Sequence, residues 1–334
     1  MHENIPAKHI RDITKNLPVD LDTSVAARFV FDENYWKKRC LKQSRPRDNQ
    51  ISEHGLSWKQ LFFENFVQEG LERYDGEGKD LLPPMLDIIE ICQEYIFSLK
   101  ARQLLSHPKM ERICQMLPNL TKLDITYGVK KIGMRYDRML FGMKISDANS
   151  LAKSILECDY LTTLMLQSNL IDDDLLRMLM MGLIKNSQIT NLDLSHNKIT
   201  NHGVRLLSKL LGARNVLTNL NLADNQIHTE GGRYLGRALR GNDSLLSVNL
   251  RLNRLNDDGG RAFLEGLQGN RAIAHINLSA NSLGSMTVSA LIPILVDSLS
   301  CLHSLDLSCN SLIDEDLNNI AQSLKNNKVS MTGR

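Results

Sequence analysis

An open α/β solenoid, with one short parallel strand and one helix per repeat, is the fold class this sequence predicts. Three observations carry it. The stretch "ITNLDLSHNKIT" at residue 189 returns 28 residues later as "LTNLNLADNQIH". An asparagine recurs at the same interval, at Asn169, Asn197, Asn225, Asn253 and Asn281, with Asn310 one residue late. Each asparagine closes the frame L-x-x-L-x-L-x-x-N-x-L, in which Ile or Val sometimes replaces Leu. A period of roughly 20–50 residues marks units that bury their apolar faces only against their neighbours.

The frames begin at Leu161, Ile189, Leu217, Leu245, Ile273 and Leu302. A weaker seventh, Leu120, Leu123 and Ile125, has Gly128 in place of the asparagine. Within a frame, leucines alternate with polar residues, as in a strand with one buried face. The asparagine follows, where the chain turns and leaves backbone donors and acceptors inside. A carboxamide satisfies both kinds of group and a carboxylate does not, so this ladder is read as structural. Apolar residues then recur 10 and 14 positions beyond it, as Leu179/Leu183, Leu207/Leu211, Leu235/Leu239, Phe263/Leu267 and Leu291/Leu295. That is helical spacing. Gly203, Gly231 and Gly259 are expected to mark the turns into three of these helices. The pattern is the long leucine-rich repeat and resembles ribonuclease-inhibitor-like proteins. About seven repeats are expected over 116–334.

Residues 1–115 carry no repeat and hold both tryptophans, Trp36 and Trp58. "SWKQ" at 57–60 is a capping box, followed by the stripe Trp58, Leu61, Phe62 and Phe66. Pro83-Pro84 is expected to open a second helix with Met85, Ile88, Ile89, Cys92, Tyr95, Ile96 and Leu99 on one face. An open solenoid end exposes apolar side chains, so this α-helical region is expected to cap it. The loop "YDGEGKDLLPP" between the helices lacks the later ligands of a calcium loop.

A net charge of +2 gives no global bias toward nucleic acid or membrane. No apolar run approaches the length of a membrane span, and "MHENIPAKHIRDI" lacks a signal-peptide core. Six scattered cysteines without C-x-x-C spacing predict neither a zinc site nor a disulfide framework, and fit a reducing compartment. Three sequons, at Asn119, Asn242 and Asn277, are read as accidents of an Asn- and Ser-rich frame. Phosphate-loop, zinc-protease and nucleophile-elbow motifs are all missing, so neither enzyme nor cofactor is expected.

Two basic stretches stand out. "KKRCLKQSRPR" at 37–47 is read as a solvated face. The other is an insertion: Gly128 to Asn169 spans 41 residues against the usual 28. The insertion, at 129–144, mixes Lys130, Lys131, Arg135 and Arg138 with Ile132, Met134, Met139, Leu140 and Phe141. Such insertions map to loops on a binding face, so a docking role is expected. An acidic surface such as a tubulin tail would suit either stretch. On the concave face, side chains between the strand leucines are small and polar, lacking the anchors of a tight interface. Met165, His196 and Arg251 are the exceptions and join the candidate protein-binding residues.

"LPNLTKLDITYGVKKIGMRYDRMLFGMKISDANSLAKSI" and "LDLSHNKITNHGVRLLSKLL" resemble the dynein regulatory complex subunit 5 family, the t-complex-associated testis-expressed proteins. The likeness extends to "DENYWKKRC" and "SWKQLFFENF". It implies a non-catalytic subunit of the nexin–dynein regulatory complex, which links doublet microtubules in motile cilia and flagella. It also implies partners among the other subunits, including another leucine-rich-repeat subunit, and no cofactor, nucleic acid or membrane. A second, slighter resemblance joins "NLPVDL", "YWKKRC" and "SWKQLFF" to a degenerate F-box. That would imply a ubiquitin-ligase substrate receptor engaging its adaptor through Leu17, Trp36 and Trp58.

Overall fold

The computed structural model describes residues 13, 16–43, 57–74, 82–104, 108–128, 141–212 and 216–326. Among the described residues, four helices with both ends defined come first: α1 (Thr23–Phe29), α2 (Glu33–Gln43), α3 (Trp58–Arg73) and α4 (Leu82–Cys92). Strand β1 (Ser98–Leu104), helix α5 (Met110–Gln115) and strand β2 (Lys122–Tyr127) follow. The alternation continues through α6 (Ile145–Glu157), β3 (Thr163–Met165), α7 (Asp173–Leu183), β4 (Asn191–Asp193) and α8 (Asn201–Leu207). It ends with β5 (Asn219–Asn221), α9 (Thr229–Leu239), β6 (Ser247–Asn249), α10 (Asn256–Leu267), β7 (His275–Asn277), α11 (Ser285–Val296), β8 (Ser304–Asp306) and α12 (Asp314–Asn326).

All eight strands form one parallel sheet in chain order. This is a leucine-rich-repeat solenoid. Register sets each frame leucine beside its equivalent, Leu164 on Leu192, Leu192 on Leu220 and Leu220 on Val248. These side chains are buried, as are Leu179, Leu235, Phe263 and Leu291 from the helices behind. Burial of each contributes on the order of 2 kcal/mol. Helix α8 is short, and a 3-10 turn (Ser208–Leu211) carries Leu211 of its apolar pair.

Three ladders of hydrogen bonds staple the repeats. Asn197 Oδ1 accepts the backbone N–H groups of Asn169 and Ile171 in the preceding repeat, both at 3.0 Å. Its Nδ2 donates to Leu166 O of that repeat and to Leu194 O of its own. Asn225, Asn253, Asn281 and Asn310 repeat the pattern. At Asn169, Oδ1 takes the Tyr127 N–H and Nδ2 reaches Ile125 O. The residue before each of the six asparagines has a left-handed backbone, from Ser168 and His196 to Asp224, Leu252, Ala280 and Cys309.

The second ladder lies where the chain enters the strands. Asn186, Asn242 and Asn270 each donate to a carbonyl of the preceding repeat and accept two N–H groups of their own turn. The sequon asparagine Asn242 is therefore buried and committed to this turn. In the third ladder, Asp173, Asn201 and Asp257 cap the start of the following repeat's helix, at Thr200, at His228 and Gly231, and at Gly284 and Thr287.

Two sequence expectations change here. The helix expected to run to Leu99 stops at Cys92, and Leu99 lies in β1, so the sheet begins ahead of residue 116. Leu99 and Ala101 are buried while Lys100 is half-exposed, a period of two that a helical stripe had absorbed. Gly203, Gly231 and Gly259 do not mark turns; they lie inside α8, α9 and α10. A Cβ on Gly231 would sit 2.3 Å from Ile227 Cγ2. Between α9 and α10, Gly232 faces the Gly259 carbonyl and Gly266 faces the Gly236 carbonyl, where added Cβ atoms would meet oxygen at 2.4 and 2.1 Å.

Helix α3 covers the edge of β1. Glu64 Oε1 accepts the N–H groups of Phe97 and Ser98, and Glu72 Oε1 accepts that of Arg102. Ser57 caps α3 through the Gln60 N–H, and the Gln60 amide donates onward to Glu64. An aromatic cluster of Trp36, Phe62 and Phe63 fills the space between α2 and α3. Buried Lys59 caps the Ala27 and Val30 carbonyls and sits 4.3 Å from the Tyr95 ring centre. Arg39, inside the basic stretch, is also buried, stacked 4.7 Å over Phe62.

Candidate interaction surfaces

The concave face is a lattice of short polar side chains bonded to one another along the solenoid. Asn219 Nδ2 donates to Asn191 Oδ1, Asn221 Nδ2 to Asp193 Oδ2, and Asn277 Nδ2 to Asp306 Oδ2. The Ser308 N–H, first among its donors, holds the Asp306 carboxyl below the usual carboxylate range. Toward the front, Asp124 is fully buried and bonded to the half-exposed Arg102 at 3.0 Å. These side chains answer one another, which leaves few groups free to grip a ligand.

The three concave candidates are not brought together. Met165 is half-buried on β3. His196 Nδ1 lies 2.8 Å from Asp224 Oδ2 of the next repeat, both exposed. The pairing crosses repeats, so the nearness of Asp193 in sequence did not show it. Arg251 is exposed, two repeats further on.

Of the insertion, Lys130, Lys131, Arg135, Arg138, Met139 and Leu140 lie outside the described residues; Phe141 is half-buried. Its two ends are held side by side at the end of β2. Gly128 donates to Leu104 O, and Gly142 returns to donate to Tyr127 O at 3.2 Å. Gly142 has φ +82°, and a Cβ there would press on Leu170 and the Asn169 carbonyl. Beside the return opens a cleft of about 570 Å³ lined by Met143, Lys144, Ile145, Asp172, Leu175 and Met178.

The residues named for an adaptor are largely used internally. Trp36 is fully buried, with its indole N–H on Val30 O at 3.0 Å. Leu17 packs half-buried against the core, and the Lys37 ammonium lies 5.5 Å over Trp58. Among the described residues no cluster of His, Cys, Asp or Glu could hold a metal ion, and no helix is long and apolar enough to cross a membrane.

Fold and ladders together define a leucine-rich-repeat protein. The family model described as Leucine Rich repeat matches residues 185–208, 215–236 and 241–264. Over 175 residues the chain is 40% identical to Dynein regulatory complex subunit 5 of Chlamydomonas reinhardtii, covering 52% of this chain and 44% of that one. It is 31% identical over 210 residues to the mouse protein of the same name, covering 54% of this chain and 42% of that one. With the human protein the identity is 30% over 205 residues, covering 53% and 40%. The chain is thus a homologue of the dynein regulatory complex subunit 5 proteins over about half its length, and the match spans less than half of theirs.

Proposed function

We propose that this chain is a non-catalytic interaction subunit of the axonemal nexin–dynein regulatory complex, helping to link doublet microtubules and to regulate dynein-driven ciliary and flagellar motility. The homology to subunit 5 proteins carries the reading. A rigid solenoid with an internally bonded concave face suits a scaffold, and the helices ahead of residue 116 serve as its front cap. Its partners are other subunits of the complex, another leucine-rich-repeat subunit among them, together with doublet microtubules. Its place is the cytoskeleton of the cilium. Expression of the tagged chain in flagellated cells lacking their own subunit 5 tests this. Recovery in axonemes with the other subunits, and restored motility, is expected. Retention in the cell body, or co-purification with an adaptor and cullin instead, overturns it.

The insertion at 129–144 is the proposed docking element of that scaffold. Its apolar and cationic residues suit a partner with a hydrophobic groove and an acidic rim, and its base is pinned to the solenoid at Gly128 and Gly142. Replacing Met139, Leu140 and Phe141 with Ser should abolish incorporation and leave the melting temperature unchanged. A sharply lowered melting temperature would make the insertion part of the folded core instead.

A further inference from the structure

The outer, helical face of a solenoid is ordinarily a solvated surface, and most of this one is. Its outermost column, 12 residues beyond each ladder asparagine, reads Met181, Lys209, Arg237, Glu265, Pro293 and, last, Gln322. Met181 is 67% exposed, and Ile184, one turn on, is 54% exposed. Lys185 follows, so these apolar groups stand in water beside cations rather than beneath them. In the next two repeats, Arg205 and Lys209 share one face at i, i+4, and Arg237 and Arg240 share one at i, i+3.

All four of these cations are exposed. In the other repeats that carry one, the arginine eight residues beyond the ladder asparagine is neutralised within its own helix. Arg177 pairs with Asp174, Arg233 with Glu230 and Arg261 with Asp258. In α8 the position of the acid is taken by His202, and among the described residues Arg205, Lys209, Arg237 and Arg240 have no ion-pair partner. In a chain of net charge +2, that is a concentration of unanswered charge.

We propose that the outer face of α7–α9 is a docking surface for an amphipathic acidic helix of a partner protein. Its apolar stripe would cover Met181 and Ile184, and its carboxylates would meet Arg205, Lys209, Arg237 and Arg240. Charge complementarity sets the sign of the partner. The two apolar groups favour a protein helix over nucleic acid, whose backbone offers them nothing. The surface is separate from the insertion and the concave face, and the proposal stands whether or not the axonemal reading does.

A fluorescent synthetic peptide of about 21 residues, built from Leu and Glu at helical spacing, is the probe. Its binding to the full chain is read by anisotropy at two salt concentrations. The double variants Lys209→Glu/Arg237→Glu and Met181→Ser/Ile184→Ser should each weaken binding about tenfold, with circular dichroism and melting unchanged. Only the first should flatten the salt dependence. Control substitutions at Arg251 and Lys198 should change nothing. The proposal is overturned by equal binding of all variants, by a poly-Glu chain binding as well as the peptide, or by an RNA duplex competing at the same residues.

Discussion

Glu64 and Ser98 meet across the front of the solenoid: the Glu64 carboxylate accepts the Ser98 backbone N–H at 2.8 Å and, from the same oxygen, that of Phe97 at 3.0 Å. The first strand of a parallel stack has a free edge, and free edges recruit other strands. A side chain from α3 replaces the missing strand. Burial pushes the Glu64 carboxyl up, while its three donors, led by Gln60, pull it back.

Glu64→Leu should therefore cost about 2–4 kcal/mol, since two backbone donors lose their acceptor. Glu64→Gln keeps an acceptor oxygen and should cost less than half as much. Chemical denaturation of both variants measures the difference. Equal stabilities for the Leu variant and the parent would mean that α3 does not hold the edge.

Asn225→Asp should destabilise the centre of the array by about 2–4 kcal/mol. The carboxylate can still accept from Ile199, and it cannot donate to Leu194, Leu222 and Ala223 as the amide does. Because each asparagine ties two repeats, hydrogen exchange should accelerate on both sides of the substitution. Acceleration confined to one repeat would contradict the stapling described above.

Burial pushes the thiols of Cys40 and Cys92 up to about 12, from an ordinary 9.0. A folded chain keeps these protons where an unfolded one releases them. Their stabilisation is complete below pH 9 and is lost between pH 9 and 12, on the order of 1 kcal/mol per pH unit for each thiol. Lys59, whose pKa burial lowers, works in the opposite direction as the pH approaches 10.5. Comparing Cys92→Ala with the parent isolates the thiol: the variant should show the shallower fall above pH 9. An identical slope would refute the assignment.

Gly266→Ala should cost at least about 2 kcal/mol, because its Cβ would enter the Gly236 carbonyl. Gly241→Ala, with nothing within 4 Å, should be close to neutral. Thermal melts of the pair check the contrast.

The repeat frames were legible because strand leucines and ladder asparagines recur at one interval, and each has a single physical use. What escaped was structure written in the same interval with less conspicuous residues. Asn186, Asn242 and Asn270 are 28 or 56 residues apart and form a ladder that the eye skips beside the main one. Asp173, Asn201 and Asp257 likewise read as ordinary helix starts until their bonds to the next repeat are traced. β1 lacks an asparagine frame, and its two-residue alternation is too short to outweigh the helix before it. The candidate surfaces were only partly legible. Met165, His196 and Arg251 stood out as odd residues in a column, whereas the His196–Asp224 pair depends on a contact between repeats. The cations of α8 and α9 were hidden because their meaning comes from missing partners: His202 stands where an acid would answer Arg205, and the acid of α9, Glu230, is taken by Arg233.

The glycine contacts between α9 and α10 bear on curvature. A horseshoe bends because neighbouring strands lie about 4.8 Å apart while the helices behind them need about 8–10 Å. Where Gly232 and Gly236 face Gly259 and Gly266, backbone replaces side chain between the helices. The outer arc is shortened at that joint, as it is where Gly182 of α7 faces the Ala152 carbonyl of α6, and the bend relaxes at both toward a straight segment. The radius of this solenoid is therefore set joint by joint, and adding one or two methyl groups at the α9–α10 joint would swing its front half relative to its rear.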